Sequence, residues 1–313
     1  MKRSGTTILW ETLRKDPRNL CFDEPFHPSL WKGKVQNGKG TWSELGKTFG
    51  RVSRRFGADL LPILPLDELT AESGLSQRAY LRDLMQQAER TVIDEVRLWN
   101  RIPEILPDDL PVVVVHLLRD PVNWVTAQMM PSNTRPDKRS LFGRLGDLRF
   151  FKRKSGYDAW RYEEIAEAAL ASDHPIFRSI SGQGVDKGRL PAYQKLIAFW
   201  WAANLQTRER LLNWSTGTVV NVSLSEFSAN PAGVIARIYS AARWDHDQGK
   251  SDFTHVRPIR SSWKPKSRNW ALAFRQLGLP AVLSDAQHLD GDALASIMDA
   301  CLSDKRPNHG ATM

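Results

Sequence analysis

The run Val112–Leu118 is almost unbroken in apolar residues, mostly β-branched, and ends directly on Arg119-Asp120-Pro121. A strand that is apolar on both faces needs cover on both, which is the situation of a central strand in a parallel sheet. A helical pattern starting at Val122 follows at once, with Pro121 suited to its first turn. Strand, short loop, helix is the unit from which α/β layers are built.

The rest of the chain repeats that alternation. Thr6–Lys15 carries Ile8, Leu9, Thr12 and Leu13 on one helical face and stops before Pro17. Asn19–Phe22 reads as a short buried strand, Ser76–Ala88 as a helix, Val92–Leu98 as a strand and Arg101–Leu106 as a short helix. Tyr157–Ala171 and Ala192–Leu212 read as helices, Val219–Val222 as a strand, and Ala232–Ala242 as a helix entered after Asn230-Pro231. Residues 27–60 are loop-rich, with a helix starting near Trp42 behind Thr41, and 131–156 form a basic, Gly-containing loop. The expectation is a single α/β domain over residues 1–303, with three α/β/α layers around a mainly parallel sheet, and a disordered tail over 304–313.

Charge and composition narrow the function classes. The 44 basic and 35 acidic residues leave a formal charge of +9, which attracts anions of many kinds without choosing among them. No stretch approaches the roughly 18 apolar residues of a membrane span. Cys21 and Cys301 stand at opposite ends of the chain, a pattern of free thiols in a reducing compartment, so a cytoplasmic protein is expected. No metal-ligand spacing is present, so no metal is expected.

The segment Arg3-Ser4-Gly5-Thr6-Thr7 is built to grip an anion. Gly5 permits a tight turn, Thr6 and Thr7 open a helix whose first N–H groups point outward, and Arg3 adds a multi-donor cation. A Walker-type loop does not fit, because Gly5 is followed by threonine instead of lysine and no earlier glycine exists. Arg119, at the carboxyl end of the strongest strand, stands where open α/β sheets bind ligands and can clamp a second phosphate.

With these two motifs the chain resembles the PAPS-dependent sulfotransferases. Their first signature, a strand–loop–helix with Lys/Arg, Ser/Gly, Gly, Thr, Thr, binds the 5′-phosphosulfate. The second, a strand ending in Arg, Asp/Asn, Pro, binds the 3′-phosphate. Val219–Phe227 followed by Asn230-Pro231, and the helix with Trp200-Trp201, also look like family elements, so the likeness covers about residues 1–245. It implies a P-loop-like sulfotransferase architecture and transfer of a sulfuryl group from PAPS to a hydroxyl or amine, leaving PAP. Arg3, Ser4, Gly5, Thr6 and Thr7 would then hold the phosphosulfate, and Arg119 the 3′-phosphate. The family's usual serine, eight residues past that arginine, is Ala127 here; either neighbouring Thr126 takes over its contact or one phosphate contact is lost. Asp94 lies near the place of a family lysine, with Arg97 the nearest basic residue. The family's first strand precedes the anion turn, where this chain has only Met1 and Lys2, so the protein is expected to begin further upstream.

For the base that activates an acceptor, Asp23-Glu24-Pro25-Phe26-His27 offers candidates just after the first helix and second family strand. Glu24 is the expected catalytic base with Arg3 as the catalytic cation; His27 is the alternative base, and His116 is expected to be a satisfied core histidine. Lys264, Lys266 and Arg268 form a basic loop that either closes over the 3′-phosphate or is simply solvated. Trp31 and Trp42 fall where a small-molecule or glycan acceptor would bind; no nucleic acid partner is expected. Two other readings stay open: a nucleotide-dependent kinase of related fold, and an inactive relative that binds anionic polymers.

Overall fold

The structure, a computed structural model, describes residues 5–27, 75–99, 101–129, 165–167, 180, 190–245, 252–256 and 267–303. Helix α1 (Thr6–Arg14) starts at Gly5, which sits in the left-handed region with φ 97°. Leu9, Trp10, Thr12 and Leu13 are buried, whereas Ile8 is 37% exposed. The inward face is therefore rotated from the one the apolar pattern predicts. Trp10 turns in because its indole N–H finds an acceptor, donating to the Phe22 carbonyl at 3.0 Å. At the other end, the Asn19 amide donates to the Leu13 carbonyl at 2.8 Å, satisfying one of the helix's last acceptors.

Strands β1 (Leu20–Asp23) and β2 (Thr91–Asp94) pair in parallel, with Asp23 opposite Asp94. Between them in sequence lies α2 (Leu75–Met85). The expected strand Val92–Leu98 is shorter than its apolar pattern suggests. After Asp94 the chain leaves the ladder, and the Glu95 carboxylate accepts the Arg97 backbone N–H at 2.5 Å. Arg101–Leu106 runs as successive turns and forms no helix, with Pro103 unable to donate a backbone hydrogen bond.

Strand β3 (Val113–Leu118) leads into α3 (Pro121–Met129) and pairs in parallel with β4 (Thr218–Ser223), Leu118 opposite Ser223. Helix α4 (Ala192–Leu212) matches its predicted bounds and is buried along most of its length, its apolar middle Leu196–Ala203 on all sides. After β4, a capping box of Ser223 and Glu226 starts α5 (Leu224–Ala229). Asn230 and Pro231 start α6 (Pro231–Ala241). Helix α7 (Ser267–Gln276), a 3₁₀ segment (Ala281–His288) and α8 (Gly291–Ser303) follow.

The fold is α/β with parallel strands. Around β3 and β4 three layers are evident. Val220 and Val222 pack with Leu9 and Leu13 of α1 and with Val234, Ile235 and Ile238 of α6. On the other face, Leu118 joins the aromatic cluster of α3 and α4, where Trp124 stacks on Phe199 at 6.3 Å, together with Leu294 and Met298 of α8. The single central sheet of the sequence reading is not seen among the described residues: β1–β2 and β3–β4 form two separate pairs, with no ladder joining β2 to β3. Helix α1 spans that division, packing on β1 and β2 as well as on the β4 side chains. The helix near Trp42, the 131–156 loop, the tail after Ser303 and any strand ahead of Gly5 lie outside the described residues. Of the expected helix 157–171, residues 165–167 are described and are helical.

Candidate active site

All four strands run parallel within their pairs, and their last residues are Asp23, Asp94, Leu118 and Ser223. Ligands of open α/β sheets bind beyond such carboxyl ends, because loops there face outward while helices cover the sides. Gly5 and Thr6 connect the two pairs at this end. The Thr6 hydroxyl bonds to the Asp94 carboxylate. Gly5 lies so close to Leu224, the residue after β4, that a Cβ would come within 2.4 Å of the leucine Cδ1. Only glycine meets both the positive φ and this contact. The first helical bond is donated by the Ile8 N–H to the Gly5 carbonyl at 3.2 Å, so the Thr6 and Thr7 N–H groups stand ahead of the ladder.

Arg119 follows β3 directly, level with Leu224 in the β3–β4 register, and is half-buried. Asp120 does not form an ion pair that neutralises it. The Asp120 carboxylate caps α3, accepting from the Asn123 backbone at 2.9 Å and from the Asn123 amide at 2.7 Å. Thr126 is buried at 1% exposure, and its hydroxyl donates to the Val122 carbonyl of its own helix at 2.7 Å. Its one hydroxyl proton is thus engaged inside α3.

Glu24 leaves β1 in a left-handed backbone conformation, φ 43°, which costs a non-glycine residue on the order of 1 kcal/mol and collects at functional sites. Its N–H donates to the Asp94 carbonyl at 2.8 Å, tying the loop to β2. Arg97, 1% exposed, donates to Glu24 Oε2 at 3.0 Å, and His27 Nε2 lies 3.9 Å from the same oxygen. Arg97, the nearest basic residue to the absent lysine, therefore meets Glu24 in the site.

The carboxylates crowd one another. Burial, followed by the charges of Asp23 and Glu24, pushes Asp94 up to about 8, while the Thr6 hydroxyl opposes this. Burial pushes Glu95 up to about 7, against the pull of the Arg97 backbone N–H. Glu95 retains some surface overall, but its Oε2 is sealed from solvent without a hydrogen-bond partner among the described residues. At neutral pH, Asp94 is consequently a neutral acid. The participation of Asp94 and Glu95 had a sequence signal: paired acids, Asp23-Glu24 and Asp94-Glu95, at the ends of two apolar strands.

Arg3, Ser4, Lys2, Lys264, Lys266, Trp31 and Trp42 lie outside the described residues, as does the side chain of Arg268. His116 is a core residue, as expected, with Asn204 and Asn221 beside its ring. Neighbouring Asn204 donates to the Trp200 carbonyl and Asn221 to Asp292, and neither His116 nitrogen meets hydrogen-bond geometry. Burial and then the Arg208 charge push it down to about 4, so it is neutral. A cavity of about 350 Å³ lined by Glu11, Arg14, Lys15 and His255 opens at the far end of α1. It is away from the strand ends, and Lys15 there is already bonded to Asp252 and His255. Comparison with protein-family models, curated proteins and solved structures finds no match for the chain.

Proposed function

We propose that this protein is a sulfotransferase that moves a sulfuryl group from PAPS to an acceptor hydroxyl or amine. The observation that carries the reading is that Gly5 and Thr6 bridge the two strand pairs at their carboxyl ends, through Leu224 and Asp94, while Glu24 and Arg119 are the residues that directly follow β1 and β3. A helix N-terminus with small residues suits the 5′-phosphosulfate, and a half-buried arginine at the next strand end suits the 3′-phosphate. Arg3 and Ser4, immediately before the turn, belong to the same anion site in this reading.

The chemistry requires little covalent help from the protein. The S–O bond to the phosphate oxygen of PAPS breaks as the acceptor oxygen or nitrogen bonds to sulfur, PAP departs, and the acceptor proton goes to Glu24. Position and charge stabilisation supply most of the rate in such transfers. The local charge is compatible with an arriving polyanion, because Asp94 is neutral at pH 7 and Arg97 offsets Glu24.

The test is a calorimetric titration of the full chain with PAP, with ATP as a competitor. Saturable PAP binding that ATP displaces poorly is expected; absence of PAP binding rejects the reading.

A further inference from the structure

A glutamate offered as a base must hold one carboxylate oxygen still while the other takes a proton, and its three side-chain torsions work against this. Glu24 has its backbone fixed by the bond to Asp94, which does not reach the carboxylate. The carboxylate is held by Arg97, whose guanidinium is almost wholly buried and donates to Oε2 at 3.0 Å. The backbone of Arg97 is held by Glu95 Oε1, which accepts its N–H at 2.5 Å, and its side chain is confined by burial at 1% exposure. Glu95 thus fixes the backbone of Arg97, and the guanidinium makes a charge-assisted bond to Glu24. A solvated surface arginine would pair only loosely with an exposed acid. This one is buried and points at a residue held in a left-handed conformation.

Accepting that Glu24 is the base of the proposed transfer, we propose that Arg97 is its positioning residue: it fixes Oε2 so that Oε1 faces the acceptor proton. Arg97 touches neither the donor nor the acceptor. Its effect on turnover passes through Glu24, and its effect on PAP binding is small.

The experiment follows conversion of PAPS to PAP, with p-nitrophenol and with water alone as acceptors, alongside calorimetric PAP binding. Arg97→Ala is expected to lower kcat about 100-fold, the scale of a misplaced catalytic group, with PAP affinity within about twofold of wild type. Arg97→Lys regains part of the loss, and added guanidinium ion partly restores Arg97→Ala. In a Glu24→Gln background, Arg97→Ala causes no further loss, because the group it positions is already gone. Equal losses in both backgrounds, or a parallel loss of PAP affinity, overturn the assignment and mark Arg97 as structural or as a ligand contact. Where Arg97→Ala does not fold, Arg97→Lys carries the same cycle. A wild type that binds no PAP sinks the sulfotransferase reading itself. Wild-type turnover that Arg97→Ala leaves unchanged sinks only this inference.

Discussion

Asp94→Asn is the most informative single perturbation, because the two side chains are nearly isosteric while only one can ionise. Asparagine keeps an oxygen to accept from Thr6 and removes the charge that Asp23 and Glu24 oppose. In the wild type, Asp94 is raised from 3.8 to about 8. Above pH 4 the unfolded chain gives up this proton while the folded chain keeps it until about pH 8. The folded state then binds more protons than the unfolded one, so stability falls as pH rises through this window and levels off above it. At about 1.4 kcal/mol per pH unit, a shift of this size has a ceiling of about 6 kcal/mol. Glu95 titrates beside Asp94 and the surroundings relax around the charge, which brings the expected effect to about 2–3 kcal/mol.

Urea denaturation of both proteins, from about pH 5.5 to about pH 9, reads this directly. The stability of Asp94→Asn relative to wild type should grow by about 2–3 kcal/mol across that range and reach a plateau near the top. Glu95 contributes a slope of its own in both proteins, and only the part that depends on the Asp94 charge stays in the difference. A difference that stays flat with pH refutes the reasoning, because Asp94 would then ionise alike in both states.

Glu24→Gln should reduce PAPS turnover about 10²–10⁴-fold with PAP affinity preserved, measured by PAP release and calorimetry. Gly5→Ala must adopt φ 97° and push against Leu224, so a loss of about 1–3 kcal/mol in urea denaturation is expected, along with weaker PAP binding. Arg119→Ala should weaken PAP binding about tenfold or more, the size of a lost charge-assisted hydrogen bond, with an unchanged melting temperature as the control for folding. Unaltered PAP affinity in that variant would remove Arg119 from the site.

The sequence announced some of these features better than others, for physical reasons. The strand before Arg119 and the helix Ala192–Leu212 were legible because each carries an apolar run long enough to mark a core element, Val112–Val115 in the strand and Leu196–Ala203 in the helix. The inward face of α1 was misread because amphipathic counting treats Ile8 and Trp10 alike, whereas an indole also follows its hydrogen-bond acceptor. The early end of β2 was hidden by Val96 and Leu98, which prolong the apolar pattern but are buried from a turn. Gly5, Thr6, Glu24 and Arg119 could be singled out because each sits at an element boundary. That Arg97 would meet Glu24 depends on β1 and β2 being neighbours in register, a long-range pairing that no local pattern encodes.

Helix α1 leans on both strand pairs, with its first residues wedged between Asp94 on one side and Leu224 on the other. Mechanically it is a tie beam whose end, in the proposed reading, is also the binding surface. A small slide of this helix along its axis would alter the spacing between Glu24 and Arg119 together, since each is carried by a different pair. In the proposed reading the distance between base and anion clamp then depends on how Leu9 and Leu13 seat beside Val220 and Val222, and a core substitution there is expected to shift it without touching any polar group.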